Sequence, residues 1–359
     1  MENSLFFAKI LAGWYQISQR NLPWRGTQDP YKIWVSEIIL QQTQVRQGLD
    51  YYNRFVERFP DVRSLAEADE QDVLLHWQGL GYYSRARNLH SAAKTIVQVH
   101  GGVFPKDYQA VRNLKGIGEY TAAAITSFAW NMPYPAVDGN VFRFLARLFA
   151  IDEPIDTGKG KKYFTELAGT LMDKSDARQF NQAMIEFGAL QCTPTAPGCS
   201  TCPFVDHCAA LAKNAVAHYP VKQNKTQTKN LYLYYFHIQA GSPPYTYLKK
   251  RTEKGIWQNL FEFPLLESEV PLDFNELCQT KQFQEWFPPT ENLQFKLVIE
   301  NKKHVLSHRI IYATFYTANA GAQFATPAAM FKVKANEIDQ YPMHRLMSFY
   351  LRPAHTTQK

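Results

Sequence analysis

The sequence predicts an all-α domain followed by an α+β domain. Three observations carry that expectation. Apolar residues recur at helical spacing through residues 1–212, with no strand-like alternation. A polar stretch, 213–230, then interrupts the pattern; it holds four lysines and no acidic residue, and reads as a flexible linker. Residues 231–359 follow with β-rich runs, and the 359-residue length suits about two domains.

Leu5, Ala8, Ile10, Leu11 and Tyr15 share a helical face. Asp29-Pro30 is a helix start, with Pro where the missing N–H costs nothing. Ile33 to Leu40 is apolar nearly all round, so this helix is expected to be buried. Tyr51 to Phe59, Glu70 to Trp77 and Arg87 to His100 continue the helical pattern. Asp107 is placed to cap a short helix ending near Leu114. Lys115-Gly116-Ile117-Gly118 breaks the period, and Glu119 to Trp130 resumes it. Asp138 precedes a further helix, Val141 to Ala150. In the second half, Leu231 to Ile238, Tyr245 to Lys250, Leu293 to Ile299 and Ile310 to Thr317 read as strands. Short helices are expected near Phe274 to Trp286 and His344 to Leu351.

Composition excludes several classes. Hydrophobic residues make up 45% of the chain and charged residues 20%, which is incompatible with disorder over most of its length. There is no apolar run long enough to span a bilayer. The N-terminal residues lack a basic region ahead of an apolar one, so a signal peptide is not expected and a cytoplasmic location is. The net charge of +7 favours a polyanionic partner but decides nothing alone. Five cysteines without an export signal argue against a disulfide framework.

Four of those cysteines, Cys192, Cys199, Cys202 and Cys208, offer thiolates within one loop; Cys278 stands apart. Thiolates suit zinc or an iron–sulfur cluster. Structural zinc sites usually use two close pairs, and only one is close here, which favours a [4Fe–4S] cluster. Gly116 and Gly118 lie between two expected helices. They make either a plain turn or a hairpin whose backbone N–H groups reach a phosphate, with Lys115 beside it. Glu37 lies inside an apolar helix. It is either a general acid kept protonated by burial or a carboxylate bonded to a neighbour. Asp138 reads as an N-cap, and a helix N-terminus also favours its ionised form. One neutral and one charged carboxyl form the pairing used in glycoside cleavage. Gly79 to Arg87 sets aromatic wedges beside two arginines, as either a DNA-entering loop or an ordinary helix connection.

In this order the motifs resemble the MutY family of adenine DNA glycosylases, among the helix-hairpin-helix glycosylases. The resemblance covers most of the first 210 residues. It is carried by Leu22-Pro23-Trp24-Arg25, Trp34 to Val45, Gly79-Leu80-Gly81-Tyr82-Tyr83, the Gly116-Ile117-Gly118 hairpin, Val137-Asp138-Gly139-Asn140 and the four-cysteine loop. The later domain resembles the family's Nudix-like domain through Gly255-Ile256-Trp257, Phe261-Glu262-Phe263-Pro264 and His304-Val305-Leu306-Ser307-His308.

The resemblance implies a monofunctional enzyme of base excision repair. It would hydrolyse the bond to adenine mispaired with 8-oxoguanine or guanine in double-stranded DNA, and would act as a monomer, nucleoid-associated in a bacterium. It further implies that Glu37 protonates adenine and helps activate water, and that Asp138 stabilises or attacks the sugar cation. Tyr120 and Asn140 would orient the reacting groups. Arg25 would line the pocket or join an ion pair, and Gln42, Leu80 and Tyr82 would touch the DNA near the lesion pair. The [4Fe–4S] cluster would be structural. Ser307 and His308 occupy the family's lesion-reading loop, unless they only shape a β-turn. Leu306 stands where the family often has Phe, keeping apolar surface but losing aromatic stacking.

Three rival functions make different demands. An endonuclease III-like glycosylase/lyase needs a Schiff-base lysine directly after the hairpin, where this chain has Tyr120. A Nudix hydrolase needs a Glu-rich metal-binding helix, and no such motif follows Trp257. A non-catalytic DNA-binding iron–sulfur protein has no use for both Glu37 and Asp138.

Overall fold

A computed structural model describes residues 2–224, 228–291, 293–321, 324, 327 and 330–351. They form two compact units, Met1–Glu67 with Asn88–Lys225 and Ala68–Arg87 with Thr226–Lys359. Helices run in chain order as α1 (Glu2–Ser18), α2 (Pro30–Leu40), α3 (Val45–Arg58), α4 (Val62–Glu67), α5 (Glu70–Trp77), α6 (Ser84–His100), α7 (Tyr108–Arg112) and α8 (Glu119–Trp130). Then come α9 (Gly139–Phe149), α10 (Gly158–Leu171), α11 (Ala177–Leu190) and α12 (Ala209–Ala212). Among the described residues no strand occurs before Lys229. Within the expected 213–230 linker, residues 225–227 lie outside the described set. Just before them the backbone N–H groups of Gln223 and Asn224 donate to the Asp156 carboxylate at 2.9 and 2.8 Å.

The start signals act as their chemistry requires. Asp29 caps α2 by accepting from the Tyr31 N–H, and Asp107 caps α7 by accepting from the Ala110 N–H. Burial along α2 runs unbroken from Ile33 to Ile39, matching its all-round apolar sequence. The core of the first unit gathers Phe7 of α1, Phe144 of α9, Phe187 of α11 and Phe204 of the cysteine loop. Phe204 lies 5.1 Å from Phe7 and 5.4 Å from Phe187, centroid to centroid. Burying one such ring contributes about 1.5–3 kcal/mol, so Phe204 helps fasten the cysteine loop to the helices.

The second unit is built on a mixed sheet. Its strands are β1 (Lys229–Ala240), β2 (Tyr245–Lys250), β3 (Phe261–Glu262), β4 (Leu265–Ser268), β5 (Lys296–Val305), β6 (Arg309–Ala320) and β7 (Phe331–Lys334). The sheet order is β3-β2-β1-β6-β5, with β4 also paired to β1 and β7 to β2. Strands β1 and β6 run parallel in unbroken register from Lys229↔Arg309 to Ala240↔Ala320. Short helices α13 (Phe274–Gln279), α14 (Lys281–Trp286) and α15 (Arg345–Leu351) complete the unit. The architecture is the expected all-α plus α+β pair. Strands β3, β4 and β7 and helices α4, α10, α11 and α12 were not anticipated; β3, β4 and β7 are only two to four residues long, too short for a period to show.

Candidate functional site

Glu37 projects from the last turn of α2 into a cavity of about 720 Å³ within the first unit. The residue is only 8% exposed. Tyr120, on the first turn of α8, donates its hydroxyl to Glu37 Oε2 at 2.8 Å. Burial pushes the Glu37 carboxyl up to about 7, against the pull of the Tyr120 bond and the Arg25 charge. Because Tyr120 occupies Oε2, the proton of the neutral acid falls to Oε1. Burial and the nearby carboxyls push the Tyr120 hydroxyl well above its ordinary value, so it remains a donor.

Asp138 lines the same cavity. It is the N-cap of α9, and its Oδ1 accepts from the Asn140 and Val141 N–H groups, each at 2.9 Å. The Asn140 side chain donates to Oδ2 at 2.7 Å. The sequence reading expected an ionised Asp138 against a neutral Glu37. In the structure burial raises both carboxyls, and the two are separated by their partners instead. Asp138 has three N–H donors and the Arg143 charge, all favouring its carboxylate, whereas Glu37 has one hydroxyl donor and the Arg25 charge.

Arg25 does both things expected of it. It lines the cavity, and it pairs with Glu186 at 3.2 Å. Arg20 also holds Glu186, through bonds of 2.6 and 2.7 Å. Gln42 follows α2 with a left-handed backbone (φ 55°), exposed at the cavity rim. No lysine lines the cavity among the described residues.

The hairpin between α7 and α8 exposes Lys115, Gly116 and Gly118, and buries Leu114 and Ile117. Gly116 has φ +83°, and a Cβ there would meet Asn88 Cβ at 2.7 Å. A Cβ at Gly118 would meet nothing within 4 Å, and no side chain caps the first N–H groups of α8.

Cys192, Cys199, Cys202 and Cys208 line a single cavity together with Arg147 and the core ring Phe144. Arg147 Nη1 lies 3.6 Å from Cys192 Sγ. The same guanidinium donates to the Thr193 and Pro194 carbonyls at 2.6 and 2.9 Å. Burial pushes the Cys202 thiol up to about 11 and raises that of Cys192, so bound metal charge would be needed to hold these two as thiolates. Among the described residues, no three His, Cys, Asp or Glu converge on a point where one ion would sit. Four thiols around one cavity, with the Arg147 cation beside one sulfur, form a soft donor set of the kind that holds thiolate-bound metal. Arg143 ties this loop to the carboxyl pair. It donates to the Cys192 carbonyl at 2.8 Å and to Asn140 Oδ1 at 2.9 Å.

In the second unit, Leu306, Ser307 and His308 form the turn between β5 and β6, closed by a 2.8 Å bond from the Leu306 N–H to the Arg309 carbonyl. The Ser307 hydroxyl is 2.8 Å from the Tyr82 hydroxyl. Tyr82 is 48% exposed, whereas Leu80 is buried at 8%. Of the two expected DNA contacts, Tyr82 is therefore the one presented to solvent. Both line a cavity of about 800 Å³ with Leu306, Ser307 and Trp257. Three arginines, Arg87, Arg309 and Arg345, line it, and no carboxylate does among the described residues.

Comparison with known proteins adds the decisive observation. A family model for HhH-GPD superfamily base excision DNA repair proteins matches residues 35–169, and one for the NUDIX domain matches residues 234–352. An adenine DNA glycosylase of Buchnera aphidicola is 34% identical over 87% of this chain and 85% of its own. The chain belongs to the adenine DNA glycosylase family. Its mouse relative of that name is 30% identical, over 90% of this chain and 73% of its own. Among solved structures, a thermostable thymine-DNA glycosylase matches with a TM-score of 0.55 and 27% identity, over 59% of this chain and 98% of its own. An endonuclease III–DNA complex shares the fold at a TM-score of 0.52 and 19% identity, over 59% of this chain and 97% of its own. This adenine DNA glycosylase family member thus pairs a helical HhH-GPD fold with a Nudix-like mixed-sheet fold. No helix among the described residues is long and apolar enough to cross a membrane.

Sequence reasoning missed three residues of these sites. Arg143 and Arg147 sit four apart in the otherwise apolar helix α9, the same signal that exposed Glu37 in α2. Trp257 adopts φ +61° and lies 3.8 Å from the His344 ring, nearly parallel to it. A stack of residues so far apart in sequence leaves no local pattern to read.

Proposed function

We propose that this chain removes adenine mispaired with 8-oxoguanine or guanine from double-stranded DNA, as a monofunctional glycosylase. The observation that carries the reading is Glu37: a buried acid near pKa 7, bonded by Tyr120, in one cavity with Asp138. The adenine must leave the base stack to enter that cavity. Glu37 then gives its proton to adenine N7. The electrons of the C1′–N9 bond leave with the base, and positive charge develops on the sugar. The Asp138 carboxylate offsets that charge or bonds to C1′. Glu37, now ionised, takes a proton from water as its oxygen joins C1′. Asn140 keeps Asp138 in place through their 2.7 Å bond.

With Tyr120 beside Glu37 and no lysine lining the cavity among the described residues, an amine attack that would cut the strand lacks its nucleophile. The test is a glycosylase assay on A:8-oxoguanine and C:8-oxoguanine duplexes. The expected product is an abasic site in the adenine strand of the first duplex only. Excision opposite cytosine, or strand cleavage trapped by borohydride, would refute the reading.

The DNA grip is assigned to Gln42, the Gly116–Gly118 hairpin and the Tyr82 loop. The α8 N–H groups receive a phosphate. Cys192, Cys199, Cys202 and Cys208 would hold a [4Fe–4S] cluster. Its bonds would clamp the loop that ends α11, and the chemistry of the sugar does not pass through it. Anaerobically purified protein is expected to be yellow-brown with about four irons per chain. Stoichiometric zinc without iron would overturn the assignment.

The turn 306–308 is proposed to read the lesion. Guanine presents an acceptor at N7, whereas 8-oxoguanine presents an N7–H donor, and a hydroxyl can sense that reversal. The Ser307→Ala/His308→Ala double variant is expected to keep excision but lose about tenfold to a hundredfold of its preference for A:8-oxoguanine over A:G. Single-turnover rates on both duplexes measure it. An unchanged ratio in a folded variant would leave the turn a purely structural role.

A further inference from the structure

We propose that Arg85 is a positioning residue for lesion discrimination: it clamps the Tyr82 ring so that the Tyr82 hydroxyl meets Ser307. The inference rests on the assignment of Ser307 to lesion reading. Tyr82 needs such a clamp. It lies in a turn where Gly79, Gly81 and Tyr82 itself all have positive φ, at 100°, 73° and 47°. For a tyrosine that backbone is strained, and it persists only where neighbours enforce it. The ring is also half exposed, so core packing does not fix it.

Arg85 supplies the enforcement. Its side chain is buried beneath the turn, with the residue 9% exposed. The guanidinium carbon lies 5.3 Å from the centroid of the Trp77 ring and 5.6 Å from that of the Tyr82 ring, within the range of cation–π attraction to both. Its Nη2 donates to the Gly81 carbonyl at 3.3 Å, and its own backbone N–H donates to the Tyr82 carbonyl at 2.9 Å. Trp77 closes the arrangement by donating its indole N–H to the same Gly81 carbonyl at 3.2 Å. One cation thus lies within cation–π reach of the Tyr82 ring and bonds the carbonyl before it. The hydroxyl at the far end of that ring is 2.8 Å from Ser307 Oγ. A lysine can attract a ring, but its ammonium cannot lie flat against the ring while bonding in plane to a carbonyl.

The test is a double-mutant cycle in the full chain, read as the ratio of single-turnover excision rates on A:8-oxoguanine and A:G duplexes. Arg85→Lys is expected to lower the ratio by about three- to tenfold, with the A:G rate at saturating protein little changed. In a Ser307→Ala background, Arg85→Lys is expected to have no further effect on the ratio, because the hydroxyl it aims has lost its partner. An unchanged ratio in folded Arg85→Lys overturns the proposal. So does an equal fall in both backgrounds, which would mark Arg85 as a general brace. A ratio that Ser307→Ala alone leaves unchanged removes the reader itself, and with it this role for Arg85. If Arg85→Lys lowers the melting temperature too far for assay, Arg85→Met keeps the buried stem without the cation and is read in the same cycle.

Discussion

Glu37→Gln is expected to bind an A:8-oxoguanine duplex as the wild type does, and to excise adenine about 10²–10⁴ times more slowly in single turnover. The amide keeps the shape of the side chain and can still accept the Tyr120 bond at its oxygen. What it lacks is an acidic proton for the base and, after bond cleavage, a carboxylate for the water. Near-normal excision would remove Glu37 from the mechanism. The pH profile gives a second reading of the same group. A general acid works only while protonated, and burial places Glu37 near 7. The wild-type rate should therefore fall as pH rises through about 7. Stability follows the same sign. The unfolded carboxyl titrates near 4.5 and the folded one near 7, so the folded state holds the extra proton in between. The contribution of this group is fully present below about 4.5 and is lost as pH rises through about 7. Glu37→Gln should gain in melting temperature relative to the wild type between pH 5 and 8.

Asp138→Asn is expected to slow single-turnover excision by about 10²–10³-fold. The variant is informative because Asn is as good an N-cap as Asp. Its Oδ1 can still accept from the Asn140 and Val141 N–H groups, so α9 should start where it does now. The negative charge beside the developing sugar cation is removed, and with it the Oδ2 acceptor of the Asn140 side-chain bond. A melting temperature close to wild type, together with a large rate loss, would assign the effect to charge. A comparable loss of stability would assign it to the cap.

The two carboxyls show how far the sequence reaches. Glu37 stood out because a charge inside an all-apolar helix must be buried, and burial alone fixes the direction of its pKa. Asp138 stood out because a helix start needs a cap. Neither signal says that the two share a cavity. That follows from α2 packing against α8, and from Asp138 lying at the head of α9 on the same cavity. That burial raises the Asp138 carboxyl as well was not legible, since desolvation depends on the surrounding atoms and not on the local capping pattern.

The sequence by itself determined the helix start at Pro30, a capped helix behind Asp138, the buried face of α2, the turn from helix to strand after the lysine-bearing stretch, and four thiols in one loop. These are local properties: a cap, a period of 3.6 or 2, a spacing along one chain. Tertiary structure alone decided that those thiols line one cavity beside Arg147, that Arg143 joins their loop to Asn140, and that residues 68–87 pack in one unit with residues 226–359. It alone brought the Tyr82 hydroxyl to Ser307, 225 positions along the chain. Such pairings are set by the folding of whole elements against one another, and no short-range regularity in the side chains encodes them.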